Sequence, residues 1–334
     1  MNHMIEKMEK KKLAILRILR EADKPVGSSD ITEQLQAMGY EVSERTVRFY
    51  LLGMDKECLT EKLGKKGRRV TNKGLMELSD ARVFEKVGFL GARIDQMTYR
   101  MTFDLYRRQG TVVVNMSVLD RKQLRDSVPL IQRVFIEGFA MGKLMGIFYP
   151  GEKLGDMAVP EGMIGVGTVC SITLNGVLLQ HGIPTTSSFG GLLELNQKKP
   201  IRFVEIIRYD GTSLDPLEIF IRSGMTDYTG ATETGNGKIG ASFREVPAES
   251  REKVIELAHE LERAGLGGFM NIGWPGQPLL EIPVSEGRVG AIVIGGLNPV
   301  AILEEKGIRV HSRALAGLVD YKRLFNYKEL SDRI

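Results

Sequence analysis

Apolar residues along the first stretch of the chain fall at helical spacing. Leu13, Ile15, Leu16, Ile18 and Leu19 predict a helix from about residue 5 to 22. Lys24-Pro25-Val26-Gly27 ends it. Ser28 or Ser29 is placed to cap a second helix, which carries Ile31, Leu35 and Met38 on one face and stops at Gly39. Ser43 caps a third, where Val47, Tyr50, Leu51 and Met54 point inward. Arg45, Thr46, Arg48 and Phe49 lie nearer the other side. The runs 58–63 and 68–71 bracket a Gly-Lys-Lys-Gly turn, the pattern of a hairpin. Three short helices followed by a basic hairpin predict a winged helix-turn-helix over residues 1–80.

Residues 81–109 mix charged and apolar positions around Gly88 and Gly91 and read as a connector that packs on the next domain or helps a dimer form. Beyond it the pattern repeats. Pro150-Gly151 matches Pro275-Gly276, and Val159, Glu161, Gly162 and Gly165 match Val284, Glu286, Gly287 and Gly290, all at an offset of 125. The same offset relates Gly142 to Gly267, Gly182-Ile183 to Gly307-Ile308, and Ser187 to Ser312. Two copies of one unit are therefore expected, at about 110–195 and 235–320, within an α/β (α+β) domain over 110–325. Alternation at Val112, Val114, Met116 and Val118, and at Ile239, Ala241 and Phe243, predicts a first strand in each copy. Helices follow near 121–141 and 248–264. A unit of about eighty residues is small to stand alone, so the copies are expected to share a core and to offer one ligand site at their seam. Between them, the glycine-rich run 227–237 reads as a solvent loop or as a ligand-closing loop.

Composition narrows the function. The 334 residues contain 43% hydrophobic positions, too many for a disordered chain. No run of 18 apolar residues occurs, so no membrane partner is expected. The two cysteines, Cys58 and Cys170, fall in different predicted domains, which suggests a reducing, cytoplasmic interior. With four scattered histidines they form no metal cluster. Net charge is only +4, but segment 60–73 holds six basic side chains against one acidic. Such a contrast, beside a helix of major-groove width, points to double-stranded DNA. Arg45 or Arg48 suits a guanine edge, with Thr46 and Phe49 beside them. Lys65, Lys66, Arg68 and Arg69 on the wing suit phosphates or the minor groove.

No nucleophile, base and orienting group come together in the sequence, and no phosphate-binding fingerprint is present. His181 and His311 read as structural, Cys170 as a buried small hydrophobe, and Arg222 and Arg244 as surface ion pairs. The cluster Thr185-Thr186-Ser187-Ser188 suits a small anion. Two other classes stay open on the residues alone: a metabolite-converting enzyme carrying a helix-turn-helix, and a non-catalytic interaction module.

The stretch ITEQLQAMGYEVSERTVRFYLLGMDKECLTEKLGKKGRRVTNKG resembles the winged helix found in some ribonuclease R proteins. It precedes GVGTVCSITLNGVLLQHGIPTTSSFGG, and the combination resembles the nitrogen-regulatory transcriptional repressors of methanogenic archaea and their relatives. The resemblance covers essentially the whole chain, and the second stretch is its more specific part. It implies a homodimer or higher assembly on a palindromic operator, no enzymatic cofactor, and 2-oxoglutarate as an effector that loosens DNA binding. That family's regulatory domain occurs once or twice per chain, and here once, with the duplication inside it. For a dicarboxylate the resemblance favours Cys170, Ser171, Thr173, Thr185, Thr186 and Ser187. The second copy departs there: Gly295-Gly296 replaces Cys170-Ser171, and Val310-His311 replaces Thr185-Thr186. One specialised site and one structural copy would explain that difference.

Overall fold

The computed structural model describes residues 2–22, 24–78 and 89–334. It divides into two compact units, Met1–Gly88 and Phe89–Ile334. Residues 81–88 of the expected connector lie outside the described residues, as does the Lys65 side chain.

In the first unit, helices α1 (Asn2–Glu21), α2 (Ser28–Ala37) and α3 (Glu44–Lys56) precede strands β1 (Thr60–Lys62) and β2 (Arg68–Val70), with a further helix, α4, at 72–78. Ile15, Leu16, Ile31, Leu35, Leu51 and Met54 close its core. Ser43 caps α3 by accepting the Thr46 N–H. The cap of α2 is Gly27, not a serine, because Ser28 turns its hydroxyl to Glu44 Oε1 at 2.8 Å. Val26 bridges Arg68, bringing its backbone so close to Gly67 (φ +109°) that a β-carbon there would strike the Val26 carbonyl. That position requires glycine on both counts.

The second unit opens with α5 (Leu90–Arg100), whose Leu90 and Ile94 are buried. The first copy then runs β3 (Thr111–Asp120), α6 (Arg121–Ile136), β4 (Leu144–Phe148), a short β5–β6 hairpin (Lys153–Leu154, Met157–Ala158), β7 (Met163–Val169), α7 (Ile172–Gln180) and β8 (Thr186–Asn196). After β9 (Lys199–Arg208), α8 (Pro216–Arg222) and α9 (Tyr228–Thr234), the second copy repeats the order: β10 (Gly237–Pro247), α10 (Arg251–Arg263), β11 (Phe269–Ile272), β12 (Arg288–Ile294), α11 (Asn298–Glu305) and β13 (His311–Asp320). β14 (Phe325–Asn326) follows. The run 227–237 is thus neither kind of loop. Asp227 caps α9, and Tyr228 and Ala231 are buried on it.

Two antiparallel five-stranded sheets result, ordered β13-β3-β7-β4-β14 and β11-β12-β10-β8-β9. The copies exchange their last strands: β8 of the first completes the second sheet, and β13 of the second completes the first. Each copy is therefore finished only by the other, which is how eighty-residue units acquire a joint core.

The repeat is not one uninterrupted offset. β7 and β12 begin 125 residues apart, at Met163 and Arg288. Helices α6 and α10 end on left-handed Gly138 and Gly265, which are 127 apart. The register agrees, since Ser117 on β3 faces Ser312 and Arg244 on β10 faces Ser187. A turn two residues shorter before β11 absorbs the difference, since β4 and β11 again begin 125 apart, at Leu144 and Phe269.

Candidate nucleic-acid face and effector site

On the winged helix, Arg45 and Arg48 are exposed on α3, and Phe49 keeps 70% of its surface. Arg48 lies along its own helix, with Nη2 donating to Glu44 Oε1 at 2.7 Å and Nε to Ser28 Oγ at 3.2 Å. The Ser28 hydroxyl and the Arg48 guanidinium together hold the Glu44 carboxyl below its usual range. Thr46 contributes to the helix cap through its N–H and a 2.9 Å contact between hydroxyls with Ser43. On the wing, Lys66 is exposed and Arg69 meets Glu61 at 3.0 Å with both side chains in solvent. Arg68 differs from the expectation. Its side chain is only 11% exposed and grips Asp55 of α3 at 2.9 Å. It ties the wing to the helix instead of facing a phosphate.

In the second unit the sequence-derived residues divide. Cys170 and Ser171 line a small cavity of 20 Å³ where the turns before α7 and α11 meet, opposite Gly295 and Gly296. The exchanged copies thus face each other there, and a β-carbon on Gly296 would strike Asn115, Val169 and Cys170. Burial raises the Cys170 thiol to about 11, so it stays protonated and unreactive at neutral pH. Ser187 accepts from Asn175 Nδ2 at 3.0 Å. Thr186 is exposed and accepts from Arg288 at 2.7 Å. The Thr185 hydroxyl is buried with no partner among the described residues. Thr173 is fully buried, and its hydroxyl both accepts from Val113 N and donates to Val113 O at 3.1 Å. That pair locks α7 to β3 and leaves no donor for a ligand, so Thr173 belongs to the frame.

Arg244 departs from the surface position that the sequence suggests. It is 1% exposed. Nη2 donates to Ser171 Oγ at 2.7 Å and Nη1 to the Ser171 carbonyl at 2.8 Å, with a further short bond to Asn175 Oδ1. Nε has no partner among the described residues. All these acceptors are neutral. Burial lowers the guanidinium to about 10, still cationic at pH 7. A buried cation held only by neutral groups is costly, and an anion brought beside it would relieve that cost.

Tyr209 and Asp215 form another wall of the cavity. Burial, and the charge of Glu218 behind it, raise the Asp215 carboxyl to about 7, although it accepts the Leu217 and Glu218 amides as the α8 cap. Ser242 Oγ lies beside the Tyr209 hydroxyl without a well-formed hydrogen bond. The structural equivalents of Arg244, Asn175 and Ser171 in the other half are Ser117, Val300 and Gly296. There Ser117 simply meets Ser312 at 2.8 Å. Only one of the two related places carries a buried charge. The cavity has room for about one water, so a larger guest requires a wall to move. Among the described residues no group of side chains is arranged to hold a metal, and no helix is long and apolar enough to cross a membrane.

Comparison with known proteins agrees with this architecture. A family model described as NrpR regulatory domains NRD1 and 2 matches residues 87–326, and a ribonuclease R winged-helix model matches 13–78. A global nitrogen regulator, NrpRI, of Methanosarcina mazei is 36% identical over 96% of this chain and 99% of its own. The global nitrogen regulator NrpR of Methanococcus maripaludis is 32% identical over 92% of this chain, which spans only 53% of that longer protein. A crystal structure of a nitrogen repressor-like protein from Methanococcus jannaschii superposes with a TM-score of 0.62 at 28% identity, covering 72% of this chain and 99% of that one.

Proposed function

We propose that this chain, which belongs to the NrpR family of nitrogen regulators, represses nitrogen-assimilation genes as a homodimer on a palindromic operator. We further propose that it lets go when a small dicarboxylate binds beside Arg244. Membership makes it a DNA-binding regulator and not an enzyme. The observation that supports the effector reading is Arg244, a buried cation with neutral partners and an idle Nε, which grips Ser171 on the wall of a cavity shared by both copies. A carboxylate is a ligand class that such a group binds strongly. 2-Oxoglutarate, which the family resemblance implies, is the first candidate. Ser171, Asn175 and Ser187 would orient it, while Cys170 would shape the wall.

The cavity wall also meets the start of the second unit. Thr212 lies in the 209–215 segment whose ends, Tyr209 and Asp215, wall the cavity, and its carbonyl accepts the Leu90 N–H at 2.8 Å. Leu90 starts α5, the first element of the second unit among the described residues. A ligand larger than one water displaces this wall and draws on the start of α5. The effect on operator affinity follows if the two wall positions bind the ligand differently. A coupling of 1–3 kcal/mol corresponds to about 5–150-fold in DNA affinity.

The test is an operator titration with and without 2-oxoglutarate, beside succinate, glutamate and glutamine. Weaker operator binding with 2-oxoglutarate alone supports the reading. Calorimetric binding of 2-oxoglutarate with unchanged operator affinity defeats the switch.

A further inference from the structure

The two copies are closed differently at their outer edges. In the first, β14 pairs antiparallel with Leu144 and Met145 of β4. The segment after it packs on α6, where Tyr327 stacks on Phe135 at 4.7 Å and accepts from Gln132 Nε2 at 3.3 Å. The Tyr149 hydroxyl donates to the Arg333 carbonyl at 3.0 Å. The chain's own tail thus covers the strand edge, the helix face and the aromatic beside them.

The second copy has the same three features and, among the described residues, no cover. β11 ends its sheet with one neighbour, β12. Gln132 and Phe135 correspond to His259 and Glu262, aligned on the helix-ending glycines. These two residues, with Ile255, Phe269, Met270 and Ile272, line an open groove of 350 Å³. Tyr149 corresponds to Trp274, the only tryptophan in the chain, which is 60% exposed beneath the Arg251 guanidinium.

We infer that a second copy of this chain covers this edge, β11 against β11 and α10 against α10 about a two-fold axis. This deepens the homodimer of the proposed function by locating its interface. The fold closes the related edge with an antiparallel strand, and antiparallel is the pairing that a two-fold axis through a strand edge produces. A two-fold operator requires an isologous contact of this kind. His259 and Glu262, one turn apart on α10, set imidazole against carboxylate when two such helices meet antiparallel. Trp274 is the residue type that anchors interfaces.

Because Trp274 is the sole tryptophan, its emission reports the contact directly. Dilution of the full chain is followed by light scattering and tryptophan emission. The expected result is a dimer whose emission moves to the blue as it assembles. Trp274→Glu and Met270→Lys each weaken self-association by about 30-fold or more, with far-UV circular dichroism unchanged. Ile206→Glu, on the open β9 edge of the same sheet, leaves it intact. The inference is overturned if Trp274→Glu dimerises like the parent, if Ile206→Glu is the variant that dissociates, or if the parent stays monomeric to about 100 µM. A dimer held elsewhere that still binds its operator would sink this interface and spare the functional reading. Loss of operator recognition with the Trp274 contact intact would do the reverse.

Discussion

Arg244 costs the protein stability, since a guanidinium taken out of water finds only neutral acceptors. Arg244→Met removes that cost but orphans the Ser171 and Asn175 acceptors, so the melting temperature should move by only a few degrees while 2-oxoglutarate affinity falls about 10–100-fold. Calorimetry and a thermal melt on the same variant separate these outcomes, and a structural arginine would lower both. Asp215 gives a pH signature. Its folded value of about 7 lies above the ordinary 3.8, so the native state holds a proton that the unfolded chain has lost. Stability from this group is full at low pH and declines as pH rises from about 4 to about 7. Asp215→Asn, which keeps the cap, should melt higher than the parent at pH 8, by up to about 4 kcal/mol, and match it near pH 4. These residues escape a sequence reading for a definite reason. Ile239, Ala241 and Phe243 alternate along β10, which assigns Arg244 to the opposite face. In an ordinary one-sided sheet that face is wet, but here both faces are covered. Cys170 and Ser171 stand out in the sequence because the two copies differ plainly there, and both line the cavity.

Among elements, the winged helix is nearly all readable, because helical spacing at 13–19 and 47–54 matches the buried set closely. What periodicity cannot show is where a long side chain ends. Arg68 and Arg69 are neighbours of equal charge, yet one is the Asp55 clamp and the other a solvent pair. Lys66→Ala with Arg69→Ala should weaken binding to all duplexes alike and flatten the salt dependence by about two units of slope. Arg68→Ala should instead loosen the hairpin and lower the melting temperature of the first unit. Arg48→Ala should relax preference at one base pair, costing about 1–3 kcal/mol on the specific site only. Competition binding at several salt concentrations distinguishes the three. The α9 region imitates a loop in sequence because of its glycines and threonines. The Glu305 carboxylate, remote in sequence, accepts the Tyr228 and Thr229 amides and holds the helix start.

At the scale of the molecule, the repeat is visible in the sequence but the strand exchange is not. Pairing partners leave no mark in a periodicity when both candidate strands have the same pattern. The exchange predicts that residues 89–196 alone do not fold, since β3 loses β13 and β8 has no sheet to join. Circular dichroism of that fragment beside 89–334 checks this. The wall-to-α5 route predicts faster hydrogen exchange at the Leu90 amide when 2-oxoglutarate is bound, as its bond to Thr212 opens.

The exchange also sets an order of events during synthesis. Ser117 meets Ser312, 195 residues later in the chain, so the first sheet waits for a strand synthesised long after β3. The winged helix needs only its own local contacts and can fold long before that. A chain broken off midway would carry a finished winged helix and an unfinished second unit. Such a fragment would keep the arginines of α3 without the domain proposed to govern them, which gives the cell reason to degrade it quickly.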